Sequence, residues 1–366
     1  MMGEFVWRNA LYRPLRTLLG VVAIAVEVSL VLLIVGLTHG MLTEVGKRIE
    51  GVGADIMVQP PSSSVLLAFS GAPMPVAVGN LLRGLKEVKA VAPVLLELSS
   101  GGGLDIVYGI DSVSFKAVSD GFVYLEGHGL EQPYDVLVDD WYARARSLHA
   151  GGTLHLLGHD FHVAGVVEHG KGARVFVPLG TLQQLTGAQD KASLFFVKCV
   201  EPGDTDTVIR QITQLLPRYQ IRPLSNFLSL MTPTSVPGLN TFVHAMIALA
   251  GVIGFLVIFL SMYATIVERT RDIGVLKSLG ASKTYIVRAL LGESTLICLG
   301  GIIAGILISY AAQFVMHSLF PTLTVLITPG WIARAAALAI LAGLAGTTYP
   351  AWLASRKDPI EALAYE

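Results

Sequence analysis

Glu268–Ser282, ERTRDIGVLKSLGAS, is a charged turnaround set between two long apolar segments. Upstream, Phe242–Ile266 carries no formally charged side chain, and downstream Ser294–Met316 carries none either. Each is long enough to cross a hydrocarbon core about 30 Å thick, which takes roughly 20 helical residues. Within the turnaround, Glu268/Arg271 and Arg269/Asp272 stand at i,i+3, and Ile273 and Leu276 make a narrow apolar stripe. Gly280 suits the position just past a helix C-cap, and Ser282 suits the N-cap of the next helix. One reading is a self-paired, solvated helix end. The other is a docking element whose apolar residues enter a groove while the charges surround it. A short, charged, regular loop pinned at a membrane surface makes contact with a cytoplasmic partner the leading expectation.

Outward from this loop, four spans are legible: Leu18–Thr38, Phe242–Ile266, Leu290–Met316 and Ala335–Leu353. The first has Arg8, Arg13 and Arg16 in front of it, as a secretory signal would. Its apolar run of about 20 residues exceeds a usual signal core of about 7–15, and no A-x-A-like site follows. An uncleaved anchor is expected. Orientation follows from Lys and Arg in short loops. The N-terminus, the turnaround (Arg269, Arg271, Lys277, Lys283, Arg288) and the tail (Arg356, Lys357) are basic, while His317–Trp331 has neither residue. Both termini and the turnaround are therefore predicted to be cytoplasmic, and the stretch of about 200 residues between the first two spans lies outside.

Composition agrees. The chain is 53% hydrophobic and only 14% charged, with mean hydropathy +0.62, where soluble domains average about 25% charged residues. A net charge of −1 argues against a nucleic-acid partner. Cys199 lies in a polar region and Cys298 in an apolar span, so no disulfide is expected.

The external region begins near Gly40 and reads as mixed α+β. Val52–Val58, Asp105–Ile110, Ala173–Val177 and Leu194–Val200 are strand-like, and Thr153–Val167 reads as a hairpin turning at Gly158–His159–Asp160. Helical pieces fit Gly79–Val88, Trp141–Leu148, Leu179–Leu185 and Thr205–Leu216. Residues 1–17 form an amphipathic lead helix with Phe5, Trp7, Leu11, Tyr12 and Leu15 near the interface. Gln59–Val76 lacks charge and offers Val65, Leu66, Leu67 and Phe69 either to a packed loop or to a lipid or partner, and Pro223–Gly238 reads as a linker. The boundaries are 1–40 for the lead and first span, 41–238 for the external domain, and 239–366 for the remaining spans with the turnaround and tail.

Several constellations bear on chemistry. Glu27 sits mid-span, where burial costs roughly 2.5–3.5 kcal/mol on insertion scales. The bland expectation is a protonated acid bonded to a Ser or Thr of a neighbouring helix. Glu293 lies near the cytoplasmic end within reach of Arg288 or Lys283. Gly301-x-x-x-Gly305 and Ala342-x-x-x-Gly346 can seat helices closely, within the chain or between subunits. Six of the nine histidines fall within His128–His169, but no Cys or carboxylate completes a metal set at convincing spacing. No G-x-S-x-G nucleophile elbow occurs. No catalytic, cofactor-binding or metal-binding residue is assigned.

ERTRDIGVLKSLGAS, followed by Ile286 and Glu293 ahead of a glycine-rich span, closely resembles the FtsX/MacB-type ABC transporter permease family. YPAWLASRKDPIEAL (Tyr349–Leu363) resembles that family's closing signature, RNALYRPLRTLLGVVAIAV its start, and GADIMV, VYGID and HVAGVVEHGKGARVFVPL its periplasmic core domain. The resemblance covers almost the whole chain. It implies a membrane protein of four transmembrane helices, one then three, with a large α+β extracytoplasmic domain between the first and second.

It further implies that Glu268, Arg269, Arg271, Asp272, Ile273, Gly274, Leu276, Lys277, Gly280 and Ala281 belong to a coupling helix seated on an ABC ATPase. Arg356, Asp358 and Pro359 would lie near the same cytoplasmic surface, with Glu27 and Glu293 as intramembrane polar residues. No G-x-x-x-x-G-K-[ST] loop is present, so ATP and Mg are expected on a separate ATPase, with no cofactor on this chain. A second permease copy or homologue, membrane lipids and a possible periplasmic adaptor or substrate protein are the other expected partners. The implied place is the bacterial cytoplasmic membrane. The implied work is mechanical export or extraction of a lipid, lipoprotein, peptide or small toxic compound. The alternatives are an FtsX-like regulator of an extracellular cell-wall hydrolase, or a ligand-binding membrane protein without transport.

Overall fold

The computed structural model describes residues 14–61, 63, 73–99, 105–225, 227–236 and 238–356. Among the described residues four helices are long and apolar enough to cross a membrane: α1 (Pro14–Glu50), α8 (Leu239–Glu268), α10 (Lys283–Leu319) and α11 (Pro329–Arg356). The described residues divide into two compact units. One holds those up to Thr38, Gly238–Met316 and those from Val325 onward; the other holds His39–Pro237 and His317–Thr324. Residues 1–13, Val65–Phe69, Asp358 and Pro359, for which the sequence suggested a lead helix, a contact segment and a tail site, lie outside the described residues.

The inserted domain is built on β1 (Ile56–Gln59), β2 (Met74–Pro75), α2 (Val78–Arg83), β3 (Val88–Ser99), β4 (Asp105–Ile110), α3 (Ser112–Ser119), β5 (Tyr124–Gly127), β6 (Asp135–Asp139) and α4 (Asp140–Arg146). It continues through β7 (Thr153–Leu156), β8 (His159–Val167), β9 (Val175–Pro178), α5 (Leu179–Thr186), β10 (Lys191–Ala192), β11 (Leu194–Cys199), α6 (Thr205–Leu215), β12 (Gln220–Pro223) and the short α7 (Phe227–Leu230). A mixed sheet runs β12-β1-β11-β3-β4-β9-β6-β8-β5, with β7 paired to β8; β4–β9 and β6–β8 are its parallel pairs.

Two apolar layers fasten helices to this sheet. Leu82 of α2 and Val208 and Ile212 of α6 pack with Val58, Val91 and Phe195. Leu182 of α5 and Tyr142 of α4 pack with Val138, Phe161 and Val175. Each fully buried Leu, Ile or Phe contributes about 1.5–3 kcal/mol, so these layers dominate the domain's stability. Asp111 caps α3 by accepting from the Ser114 N–H at 2.9 Å, and Asp139 caps α4 by accepting from the Tyr142 N–H at 2.6 Å.

Four sequence expectations change. The hairpin turns at Leu157–Gly158 rather than at Gly158–His159–Asp160, because His159 and Asp160 already pair with Leu156 and His155 as part of β8. The first helix does not end at Thr38 but continues to Glu50. Val88, expected to close a helix, opens the longest strand, Val88–Ser99, which runs between β11 and β4. Its buried run from Val91 to Leu96 has lost the two-residue alternation that marks a half-exposed strand, and Pro93 argues against a strand reading. Finally, Pro223–Gly238 is not all linker: Pro223 ends β12, which pairs with β1, and Phe227 is fully buried.

The histidine-rich lobe is a set of histidine–carboxylate contacts. His155 meets Asp160 at 2.7 Å, His169 meets Asp140 at 2.9 Å, and His149 and His162 meet Glu126 and Asp135 at 3.3 and 3.4 Å. Burial opposes ionisation of Asp140, but His169 and Arg144 outweigh it and hold the carboxyl below its usual value of 3.8. Burial likewise opposes ionisation of Asp135, and the donating N–H groups of Gln132 and Glu131 overcome it. A depressed carboxylate stabilises the fold above its unfolded value, and that stability is lost as pH falls through the lower folded value. The melting temperature of the domain is therefore expected to hold near pH 5–7 and to drop below about pH 4. Asp140→Asn should flatten part of that acid slope, as read by thermal unfolding across a pH series.

Candidate functional site

The membrane unit is the first part of α1 with α8 (Leu239–Glu268), α9 (Thr270–Ser278), α10 (Lys283–Leu319) and α11 (Pro329–Arg356). Apolar helices gain little from the hydrophobic effect in lipid, so close packing has to hold them. Glycines provide it. A Cβ on Gly301 would lie 2.5 Å from Ile24 Cβ, and one on Gly305 would lie 2.7 Å from the Ala25 carbonyl oxygen. A Cβ on Gly346 would sit 2.7 Å from the Phe255 carbonyl oxygen. Both small-residue motifs thus seat helices of the same chain, α10 on α1 and α11 on α8, rather than presenting those glycines to a second copy.

The charged turnaround is the short helix α9, tied to its own bundle by two side-chain hydrogen bonds. Chain direction changes at Arg269, between α8 and α9. The Arg269 side chain points inward, its Nη1 donating to Glu293 Oε2 at 3.5 Å. Glu293 therefore pairs with Arg269, not with Arg288 or Lys283 as its position along the chain suggested. Lys277 Nζ donates to the Ser355 carbonyl at 3.1 Å, tying α9 to the end of α11. The helix closes as expected. Gly280 takes φ +93°, its N–H donates to Lys277 O and the Ala281 N–H to Leu276 O, both at 3.0 Å. Ser282 Oγ then accepts from the Tyr285 N–H at 3.2 Å, starting α10.

This bracing decides which face of α9 is free. Ile273 is 8% exposed and packs with Ile266, Ile286, Leu290, Ala351 and Ala354. Leu276 is half-buried and, with Arg269, Asp272, Val275, Tyr285 and Glu293, lines a cavity of about 320 Å³. Of the stripe predicted to enter a partner's groove, Ile273 thus faces its own bundle with buried Gly274 beside it, while Leu276 lines the cavity next to Asp272 and Val275. The exposed face carries Arg271, Asp272, Val275 and Leu279, spaced i, i+1, i+4 and i+8, with Leu279 80% exposed. Val275 and Leu279 escaped the sequence reading. The helical period was available, but nothing in the sequence said which of two apolar stripes the bundle would take. At the end of α11, the Arg356 guanidinium lies 4.0 Å from the Trp352 ring centroid.

Glu27 is 5% exposed, and neither carboxyl oxygen has a hydrogen-bond partner among the described residues, so the expected Ser or Thr partner is not found there. Its carboxyl lies against the backbone of α8, where a Cβ on Gly254 would be 1.8 Å from Oε2. Glutamine has the same shape and no charge to bury. Glu27→Gln is expected to keep or raise the melting temperature in detergent, whereas Gly254→Ala should lower stability by about 1–3 kcal/mol through overpacking. The opposite order in a thermal melt would remove the packing account of this pair.

Comparison with known proteins follows the two units. Residues 245–359 match the FtsX-like permease C-terminal model, and residues 17–215 match the MacB-like periplasmic core domain model. An ABC transporter permease of Methanocaldococcus jannaschii is 23% identical over 99% of this chain and 97% of its own length. The permease YknZ of Bacillus subtilis is 20% identical over 98% of this chain and 97% of its own. A macrolide export ATP-binding/permease protein MacB of Hyphomonas neptunium is 28% identical over 98% of this chain, which spans 59% of that relative's length. Among solved structures, the periplasmic region of MacB from Actinobacillus actinomycetemcomitans aligns at TM-score 0.39 and 16% identity, covering 50% of this chain and 95% of that one.

Proposed function

Since the chain belongs to the MacB/FtsX-type family of ABC transporter permeases, we propose that it is the membrane half of a mechanical exporter or extractor. An ABC ATPase on a separate chain docks on α9 from the cytoplasm, its closure moves the helices, and the inserted domain works on the far side. ATP and Mg belong to the ATPase, and this chain binds no cofactor. The orientation rests on the basic turnaround and tail against a His317–Trp331 loop without Lys or Arg.

The observation that carries this reading is a short helix held to its own bundle by two hydrogen bonds and by buried Ile273, with Arg271, Asp272, Val275 and Leu279 turned outward. A helix that must transmit force has to be rigid toward its own bundle and sticky toward its partner. Bracing by Arg269–Glu293 and Lys277–Ser355 meets the first need, and the Arg271, Asp272, Val275 and Leu279 face meets the second. Two permease halves make an ABC transporter in this reading, so a second copy or a homologue completes the assembly. The substrate class is a lipid, lipoprotein, peptide or small toxic compound, taken with or without a periplasmic adaptor. The large inserted domain favours this over an FtsX-like hydrolase regulator, whose outer loop is short.

A gentle-detergent pull-down of the tagged chain from its host, with mass spectrometry, tests the reading. An ABC ATPase at near-equal amount supports it, and a co-purifying cell-wall hydrolase in place of an adaptor or lipoprotein would move the assignment to the regulator. Recovery of no ATPase, while other membrane complexes survive, would remove it.

A further inference from the structure

Helix α1 continues past its apolar span, and its last turns carry Glu44 and Arg48 into the inserted domain. Four charged side chains meet there. Arg174 Nη2 lies 3.6 Å from Glu44 Oε1, Arg174 Nη1 lies 3.6 Å from Asp139 Oδ2, and Arg48 Nε lies 3.6 Å from Glu44 Oε1. The side chains are between 1% and 13% exposed. Two positive and two negative groups leave the cluster neutral, which allows it to be buried.

Its geometry is loose. Glu44 Oε1, Arg48 Nε, Asp139 Oδ2 and Arg174 Nη1 are buried without a hydrogen-bond partner among the described residues. Charge-assisted N–H···O bonds close at about 2.7–2.9 Å, so a shift of under 1 Å would convert contacts of this length into bonds. Arg174 is the member that joins everything. Its Nη2 donates to the Thr322 carbonyl at 3.2 Å, on the loop between α10 and α11, and its guanidinium lies 5.3 Å from the Trp141 ring centroid. Its own carbonyl accepts from the Asp139 N–H at 2.8 Å, at the end of β6. The backbone beside it is also tied to α1: the Gly172 N–H donates to Arg48 O at 2.8 Å. A Cβ on Gly51 would stand 2.1 Å from Gly170 O, so only glycine fits at that crossing.

We propose that Arg174 is the positioning residue through which the end of α1 and the 317–324 loop move the sheet of the inserted domain. The buried pairs of unlike charge resist separation in a low dielectric, so displacement of Glu44 carries Arg174, and with it Asp139 and the β6–α4 corner. Elements reached from three of the four spanning helices converge on one guanidinium. Its flat fork allows it to hold a carboxylate on each side and a carbonyl at once, which a lysine ammonium cannot reproduce in plane. This inference rests on the proposed coupling to an ATPase.

The test is hydrogen exchange of the full complex with its co-purifying ATPase, nucleotide-free against trapped with ATP, Mg and vanadate. In the wild type, peptides covering 41–50, 135–146, 171–178 and the α9 turnaround are expected to change together. In Arg174→Gln, the turnaround and 41–50 should still respond, while 135–146 and 171–178 lose their response; Arg174→Lys should restore part of it. Because the single change leaves buried acids uncompensated, the paired variant Glu44→Gln/Arg174→Gln removes one charge of each sign and is expected to fold and show the same loss. A wild-type response at 135–146 and 171–178 in the folded paired variant overturns the joint alone. An ATPase-bound wild type whose turnaround ignores nucleotide overturns the coupling reading, and the joint falls with it.

Discussion

Leu279→Asp is expected to release the ATPase while leaving the bundle folded. Leu279 is 80% exposed at the C-terminal end of α9, so a carboxylate there meets water and costs the permease almost nothing. In the proposed docked complex the same side chain would be an apolar anchor, and truncating or charging such an anchor typically costs about 2–4 kcal/mol, roughly 30- to 1,000-fold in affinity. Val275→Asp, 43% exposed on the same face, should act in the same direction and less strongly. Ile273→Asp gives the contrast. It would place a carboxylate among Ile266, Ile286 and Leu290, so loss of the fold near α9 accompanies any loss of partner. The readout is the ratio of ATPase to permease in the pull-down beside the permease melting temperature. Full ATPase recovery with Leu279→Asp would show that this face of α9 is not the docking surface.

The paired change Gly301→Val/Gly305→Val is expected to unfold the membrane unit rather than dissociate subunits. At both positions the obstacle is close against α1, Ile24 Cβ at 2.5 Å and the Ala25 carbonyl oxygen at 2.7 Å, so a side chain forces α1 and α10 apart. Overpacking costs about 1–3 kcal/mol per site, and moving a helix also forfeits contacts among Ile24, Val28, Ile297 and Ile302. The melting temperature in detergent should fall by several degrees or the protein should fail to accumulate. Gly330→Ala, with nothing within 4 Å of the added carbon, should be neutral. A dimer that falls apart at unchanged melting temperature would place Gly301 and Gly305 at a subunit interface instead.

Much of the architecture was legible because the bilayer imposes a length and a composition. A run of about 20 apolar residues has few alternatives to a spanning helix, and four such runs with one long gap state the layout. The caps of the turnaround were equally legible: Gly280 at φ +93° and Ser282 at an N-cap are local solutions to local backbone problems. The inserted domain was read less well. Strands with one wet face, such as Thr153–Leu156, show their alternation, whereas Val91–Leu96, covered on both faces, does not.

The candidate site divides along the same line. Sequence alone determined that a charged, capped helix lies between two spans, because charge, turn chemistry and hydropathy act over a few residues. Tertiary structure decided which side of that helix is offered outward, turning Ile273 toward Ala351 and leaving Leu279 free. It also chose Arg269 for Glu293 across 24 residues, and brought Glu44, Asp139, Arg174 and Thr322 to one point. Those pairings depend on helix packing and sheet order, in which the partners of each charge are set by distance in space and not along the chain.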